Sequence, residues 1–69
     1  MKIKSLHIWK LPIYEMDALF KIDPTSKYAP TEIVLDAFSG YAQVFHPTGV
    51  IEHINLNNVD GYSYTILDE

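Results

Sequence analysis

Alternation between apolar and mostly polar side chains over residues 13–22 constrains the fold more than any other feature of the sequence. One set of alternate positions is wholly apolar: Tyr14, Met16, Ala18, Phe20 and Ile22. The other set is mostly polar: Ile13, Glu15, Asp17, Leu19 and Lys21. A period of two places alternate side chains on opposite faces of a β-strand, whereas a helix would scatter the apolar set around its circumference. This pattern predicts a half-buried strand.

The preceding segment, residues 2–11, also predicts a strand because it is rich in β-formers. Its apolar residues divide between two faces, with Ile3, Trp9 and Leu11 on one and Leu6 and Ile8 on the other. That division is typical of a strand covered on both faces in its middle. Pro12 has no N–H to donate and is expected to end the ladder. Two prolines and several small polar residues predict a loop over 23–30.

Residues 31–38 are compatible with two structures. In a helix, Pro30 would occupy the first turn and Gly40 would follow the C-cap. In a strand, the β-branched pair Ile33-Val34 would be favourable, and Ser39-Gly40 would form a two-residue hairpin turn. The segment is too short to make a stable isolated helix, so the strand is favoured and the helix is the alternative.

Two turn sequences organise the rest of the chain as a β-meander. In His46-Pro47-Thr48-Gly49 the proline presets φ and the glycine tolerates the left-handed conformation that follows. A three-residue bulged loop there would place Val44 opposite Glu52 and Gln43 opposite His53. Asp60-Gly61 predicts a second hairpin, between strands at 50–56 and 62–67.

The predicted fold is therefore mainly antiparallel β, with five or six short strands forming a small barrel or a twisted meander. The alternative is an α+β fold with one short helix at about 30–39. With 69 residues, the chain is expected to form a single small β-rich domain over 1–69. Such a sheet must close or fold over itself to protect its edges.

Composition excludes several functional classes. The absence of cysteine rules out a disulfide framework, a thiolate zinc site and a thiol nucleophile. The chain has no arginine and a formal net charge of -4, so direct binding of DNA or RNA is not expected. Its longest apolar runs are three residues, far short of the roughly 20 that a membrane span requires. The N-terminus lacks the apolar core of a signal peptide, which predicts a cytoplasmic protein, in a host cytoplasm if it is viral.

No set of side chains has the spacing that catalysis or metal binding requires. His7, His46 and His53 lack the close pairing of zinc ligands, and the predicted hairpin puts the last two on opposite faces. Glu15 and Asp17 would share one strand face about 6–7 Å apart, but they are expected to form its solvent face. No serine lies in a nucleophile elbow, and the glycines are too scattered to cradle a phosphate. We expect neither enzymatic activity nor a cofactor.

Charge and tyrosine content favour a binding function instead. Residues 28–69 carry six carboxylates and no lysine, whereas residues 1–27 carry all five lysines. The lysines are expected to neutralise part of that acidic field in the folded protein, and the alternative is an acidic surface offered to a basic partner. Tyrosine combines apolar area with a polar tip and is enriched at interfaces, although these rings would serve equally to close a small core.

The sequence therefore predicts a small acidic, non-catalytic protein-binding module. One expected setting is a viral or mobile-element inhibitor that occupies a basic surface of a host protein, such as a nucleic-acid-binding enzyme. The alternatives are a homo-oligomeric structural subunit and, less favoured, a small enzyme or metal-binding protein. The predicted partner-binding residues are Glu32, Asp36, Tyr41, Glu52, Tyr62 and Tyr64.

Overall fold

Six antiparallel β-strands form one curled, half-barrel sheet in the computed structural model, which describes residues 1–11 and 16–67. The strands are β1 (Lys2–Leu11), β2 (Met16–Lys21), β3 (Glu32–Asp36), β4 (Tyr41–Phe45), β5 (Ile51–Asn55) and β6 (Gly61–Ile66). The helical content of the described residues is a three-residue 3-10 turn, Leu56–Asn58. Those residues contain no helix long and apolar enough to cross a membrane. The mainly antiparallel β prediction is confirmed.

The first strand holds the sheet together. Along the sheet the order is β2-β1-β3-β4-β5, and β6 also pairs with β1. From Ser5 to Ile8, β1 pairs with β2 and also with β6. Its N-terminal end pairs with β3, where the amine of Met1 donates to the carbonyl of Leu35 at 3.0 Å. The amide of Leu35 returns a bond to the carbonyl of Met1 at 2.7 Å. Pairing with β1 therefore holds β2, β3 and β6 in place.

The core lies on one side of this sheet, which we call the inner face. It is wholly apolar and draws on four strands and the 3-10 turn: Ile3, Leu6, Ile8, Ile33, Leu35, Ala42, Val44, Ile54 and Leu56. Half-buried residues pack around its margin: Phe20, Ile22, Val59 and Tyr62. The remaining side of the sheet, the outer face, carries polar and exposed apolar side chains. Burial of this one cluster drives the curl of the sheet, because only a curved sheet can enclose its own apolar face.

A β-bulge in β1 places one of its side chains on a different face from the one predicted. Ile3 pairs with Ile66 and Ser5 pairs with Thr65, so Lys4 is an extra residue on the β1 side. Such an insertion shifts the alternation by one position and brings Ile3 onto the inner face with Leu6 and Ile8. The prediction that Ile3 lies opposite those two residues is therefore wrong. The side chain of Leu11 lies outside the described residues.

Alternation along β2 is confirmed over its described part. Ala18 and Phe20 are half-buried, whereas Asp17, Leu19 and Lys21 are exposed. Residues 12–15 lie outside the described residues, as does the side chain of Met16. The predicted face shared by Glu15 and Asp17 falls partly in that segment and stays a prediction.

Residues 32–36 form a strand, so the helical alternative at 30–39 is wrong. Ile33 and Leu35 alternate with three half-buried residues, and β3 pairs with β4 through all five of its residues. The turn differs from the predicted two-residue form. Asp36 pairs with Tyr41, and the amide of Gly40 donates to the carbonyl of Asp36 at 2.9 Å, which makes a four-residue loop. Gly40 closes it with φ +77°, a conformation that favours glycine.

The β4–β5 hairpin has the predicted register. Val44 pairs with Glu52, and Gln43 pairs with His53. The amide of Gly49 donates to the carbonyl of His46 at 3.0 Å, and Gly49 has φ +92°. Both observations match the bulged loop that the turn sequence predicts.

The predicted hairpin between β5 and β6 is wrong. After β5 the chain makes the 3-10 turn, where Leu56 is buried and its amide donates to the carbonyl of Gly40 at 2.8 Å. The next strand then pairs with β1 instead of β5. Gly61 does not adopt the positive φ that an Asp-Gly hairpin turn would need. Burial of Leu56 and pairing along β1 outweigh the local turn preference, so the meander is limited to β3–β5.

Candidate functional site

The outer face of β3, β4 and β5 is an array of polar and apolar side chains. Cross-strand pairs place them in three rows: Glu32–Phe45–Ile51, Val34–Gln43–His53 and Asp36–Tyr41–Asn55. We call these nine residues the meander face. Tyr41 is 42% exposed and Ile51 is 44% exposed, so its apolar members are open to solvent at both ends of the strands. A carboxylate accompanies each exposed apolar end, Glu32 at one and Asp36 at the other.

Glu32 is accompanied by a lysine from the first strand. The ammonium of Lys2 lies 3.0 Å from its carboxylate, and both side chains retain much solvent exposure. An exposed pair of this kind contributes about 0–1 kcal/mol and is easily exchanged for another partner. The pair thus places a carboxylate at the margin of the meander face, and this carboxylate contributes little to the stability of the fold.

Asp36 is held by the hairpin loop that follows it. The amide of Ser39 donates to its Oδ1 at 3.0 Å. Hydrogen bonds from the Ser39 backbone and side chain, in that order of size, lower the pKa of Asp36 below its ordinary value. Tyr41 lies directly across from Asp36, and the ring of Phe38 is fully exposed at the tip of the loop. This end of the meander face and the adjoining loop together carry a fixed negative charge and two exposed aromatic rings.

Glu52 lies elsewhere, on the inner side of β5. Its carboxylate accepts a 2.6 Å hydrogen bond from Nε2 of His46 across the hairpin. The pair borders a groove of about 550 Å³ lined by Lys27, Tyr28, His46, Pro47, Thr48, Val50 and Glu52. The ammonium of Lys27 lies 5.2 Å from the centre of the Tyr28 ring. Glu52 thus belongs to a different surface from Glu32 and Asp36.

Tyr62 and Tyr64 lie on the inner side of β6. They pair with Ile8 and Leu6 of β1, and their rings stack at 6.4 Å with an interplanar angle of 22°. Tyr62 is half-buried and packs against the core, whereas Tyr64 is 41% exposed. Tyr62 therefore helps to close the core, and a role of Tyr64 in an interface stays a prediction.

The six predicted partner-binding residues therefore divide among three places. Glu32, Asp36 and Tyr41 share the meander face; Glu52 borders the groove beside His46; Tyr62 and Tyr64 form a stack on β6. Sequence reasoning missed Phe45 and Ile51 as members of the meander face. The confirmed hairpin register, applied one pair further, would have placed them side by side.

The histidines are separated as predicted. His46 reaches Glu52 on the inner side, whereas Nδ1 of His53 lies 3.5 Å from Nε2 of Gln43 on the outer face. Within residues 1–11 and 16–67, no three metal-ligating side chains come together.

Asp17 is the described member of the carboxylate pair, Glu15 and Asp17, that the sequence predicts on one strand face. It accepts a hydrogen bond from the amide of Lys10 at 3.0 Å.

The lysine-rich N-terminal segment reaches the acidic C-terminal one, as expected. Besides the Lys2–Glu32 pair, the ammonium of Lys10 lies 4.0 Å from the carboxylate of Asp60. These contacts neutralise part of the acidic field and leave it uneven over the surface.

Comparisons with known proteins found no relative of this chain. No protein family model matches the chain, and neither the curated proteins nor the solved structures contain a match. Its function must be inferred from its own surfaces.

Proposed function

We propose that this chain is a non-catalytic module that binds another protein through the meander face. The observation that supports the proposal is the row structure of that face, in which exposed apolar and aromatic side chains adjoin carboxylates. Such a mixture of aromatic area and polar rim is typical of protein interfaces. It lies on three hydrogen-bonded strands, so little conformational entropy is lost when a partner docks.

The proposed partner is basic on the surface that docks. The nine residues of the meander face include two carboxylates and no lysine, and the nearest ammonium, on Lys2, is already paired with Glu32. Carboxylates at the margin of an interface mainly accelerate association and select a partner of opposite charge. An inhibitor encoded by a virus or mobile element, occupying a basic surface of a host protein, is the setting that we propose for this chemistry.

The experiment is affinity capture with the folded chain, followed by binding measurements on single variants with the captured protein. Tyr41→Ala and Ile51→Ala should each weaken binding, whereas Leu19→Ala, an exposed apolar change on β2, should not. Glu32→Lys should slow association more than Asp23→Lys, which changes the net charge equally but lies outside the meander face. Equal effects of the two members in either comparison would refute the assignment of the meander face.

A second candidate function is self-association through β6. Among the described strands, β6 pairs with β1 and with no other, and Tyr64 and Ile66 are exposed beside the core at 41% and 64%. An edge strand with exposed apolar residues is a site at which copies can pair. Light scattering over a concentration series tests this candidate. A monomer at high micromolar concentration would remove it and leave the first proposal standing.

A further inference from the structure

A groove lies at one end of the β1–β6 ladder, on the opposite half of the sheet from the meander face. It has a volume of about 450 Å³ and is lined by Trp9, Lys10, Asp17, Asp60 and Gly61. Two carboxylates and an exposed indole ring thus meet in one depression. None of these residues belongs to the meander face, so the groove is a separate feature of the molecule.

A β-bulge builds one wall of this groove. Ile8 pairs with Ala18 and Leu11 with Met16, so Trp9 and Lys10 together oppose the single residue Asp17. Lys10 adopts φ +57°, which is uncommon for a residue with a side chain. Its amide donates to Oδ1 of Asp17 at 3.0 Å. The bulge therefore fixes the Asp17 carboxylate beside the indole ring, and re-aimed side chains at bulges are frequent next to functional sites.

Trp9 and β6 form the floor and the opposite wall. The amide of Asp60 donates to the carbonyl of Trp9 at 3.1 Å, which holds Asp60 at the head of β6. Gly61 pairs with Trp9, and the absence of a side chain there lets the indole lie against the β6 backbone. The imidazole of His7 supports the ring from its own strand, with ring centres 4.9 Å apart. Trp9 remains 38% exposed, so part of the indole is open to a ligand.

We propose that this groove binds the guanidinium group of an arginine side chain presented by another polypeptide. The planar cation would stack on the open face of Trp9 and donate hydrogen bonds to the carboxylates of Asp60 and Asp17. Guanidinium groups combine stacking on indole with a fork of donors that fits a carboxylate, and an ammonium lacks that planarity. The net charge of -4 draws a basic segment toward the molecule.

Lys10 shows that the groove already attracts a cation. Its ammonium lies 4.0 Å from Oδ2 of Asp60, at the edge of the depression, and both side chains are largely exposed. So long and exposed an ion pair is weak and gives way readily to a better donor. Lys10 therefore acts as an internal competitor for the arginine. Its removal should strengthen binding, whereas loss of Asp60 should weaken it.

This site lies on β1, β2 and β6 and goes beyond the proposed function. Binding at the meander face and binding of arginine in the groove involve different residues, so either can fail without the other.

The test uses the fluorescence of Trp9, which is the only tryptophan in the sequence. The probes are N-acetyl-arginine amide and its neutral isostere N-acetyl-citrulline amide, titrated at matched ionic strength. We expect a saturable change with the arginine probe in the millimolar range and none with the citrulline probe. Chemical shifts of the Asp60 and Gly61 amides, followed by NMR, should saturate at the same concentration.

Charge variants then separate the groove from the general acidic field. Asp60→Asn should weaken binding of the arginine probe about threefold, in keeping with the modest energy of an exposed ion pair. Asp23→Asn makes the same change in net charge on the loop that follows β2, outside both proposed binding surfaces, and should leave the affinity unaltered. Lys10→Met should strengthen binding about twofold by removing the competing ammonium.

Three outcomes would overturn the proposal. The first is an equal response to the arginine and citrulline probes, which would show that charge is not recognised. The second is an equal effect of Asp60→Asn and Asp23→Asn, which would assign the attraction to the whole surface. The third is displacement of the arginine probe by a neutral oligosaccharide, which would assign the indole and carboxylates to sugar binding.

Discussion

Trp9 lies over Gly61, its cross-strand neighbour, so closely that a Cβ at position 61 would come 3.1 Å from Cε3 of the indole. The ring occupies the space that a side chain on β6 would otherwise take. An exposed tryptophan is thereby held against the backbone of the sheet instead of extending freely into solvent. Its position depends on the residue opposite as much as on its own strand.

Substitution of Gly61 should therefore move the indole with little effect on the stability of the fold. In Gly61→Ala the new methyl group pushes Trp9 outward, and this cost offsets the gain of about 0.4–1 kcal/mol from a less flexible unfolded chain. We expect the free energy of unfolding to change by less than about 1 kcal/mol. The Trp9 emission maximum should shift to the red as the ring becomes more exposed. An unchanged emission spectrum would show that the indole does not rest on Gly61.

Lys10 should be replaceable by glycine with a gain in stability. Its φ of +57° places the Cβ close to the backbone, at a cost of roughly 1–2 kcal/mol for a residue with a side chain. Lys10→Gly should raise the free energy of unfolding by about 1 kcal/mol. The control is Lys21→Gly in the regular strand β2, which should lower it by about 0.5–1 kcal/mol. Urea unfolding of both variants measures the difference, and destabilisation by the two substitutions alike would contradict the assigned strain.

Gly40 and Gly49 should respond differently to alanine although both have positive φ. Each substitution should cost about 1 kcal/mol in strained backbone. At position 49 nothing lies near the new Cβ, whereas at position 40 it would come 2.8 Å from Nδ2 of Asn57. Gly40→Ala should therefore be the more destabilising change in urea unfolding. Because the clash involves the end of a side chain, adding Asn57→Ala should remove the excess cost.

Acid should weaken the β3–β4 hairpin through Asp36. Hydrogen bonds from Ser39 lower the pKa of Asp36 in the folded state below the ordinary value of 3.8. Its stabilising contribution is thus present above that value and is lost as the pH falls through the lower, folded pKa. Asp36→Ala should be less stable than the parent chain at pH 7, and the difference should shrink as the pH falls below the ordinary value.

Asp36→Asn provides the control for this titration. The amide oxygen of asparagine can accept the Ser39 N–H at every pH, so its hydrogen bond does not titrate. The stability of this variant relative to Asp36→Ala should stay constant between neutral and acid pH. A parallel loss in Asp36→Asn would assign the acid sensitivity to other carboxylates, for example Asp23, whose pKa is also lowered by Thr25.

Local features of the sequence predicted the parts of the fold that depend on neighbouring residues. The period of two over residues 13–22 predicted the strand whose described part is β2, and the turn at His46–Gly49 predicted the register of the β4–β5 hairpin. That register also sets which side chains share a face. Glu32, Asp36 and Tyr41 were selected from the sequence by charge and tyrosine content, and the structure puts them on one surface but separates Glu52, Tyr62 and Tyr64 from it. Whether that surface binds a partner stays a prediction.

Residues far apart in the chain decided the rest. The sequence predicted a hairpin at Asp60-Gly61, but β6 pairs with β1, more than fifty residues away. The bulges at Lys4 and at Trp9–Lys10 exist because β1 must match the registers of two strands at once. Without those pairings, neither the groove beside Trp9 nor the Tyr62–Tyr64 stack can be deduced.

The amino-acid sequence by itself determined that this protein is a β-sheet protein and fixed the register of its β4–β5 hairpin, because alternation and turn chemistry act between near neighbours. Only the tertiary structure decided which strand β6 pairs with and where bulges in β1 shift the alternation of its side chains. It also decided which of the exposed rings lie beside a carboxylate. The physical reason is that a strand edge accepts any partner whose register buries the apolar face. That choice is made by the whole core and not by the local chain.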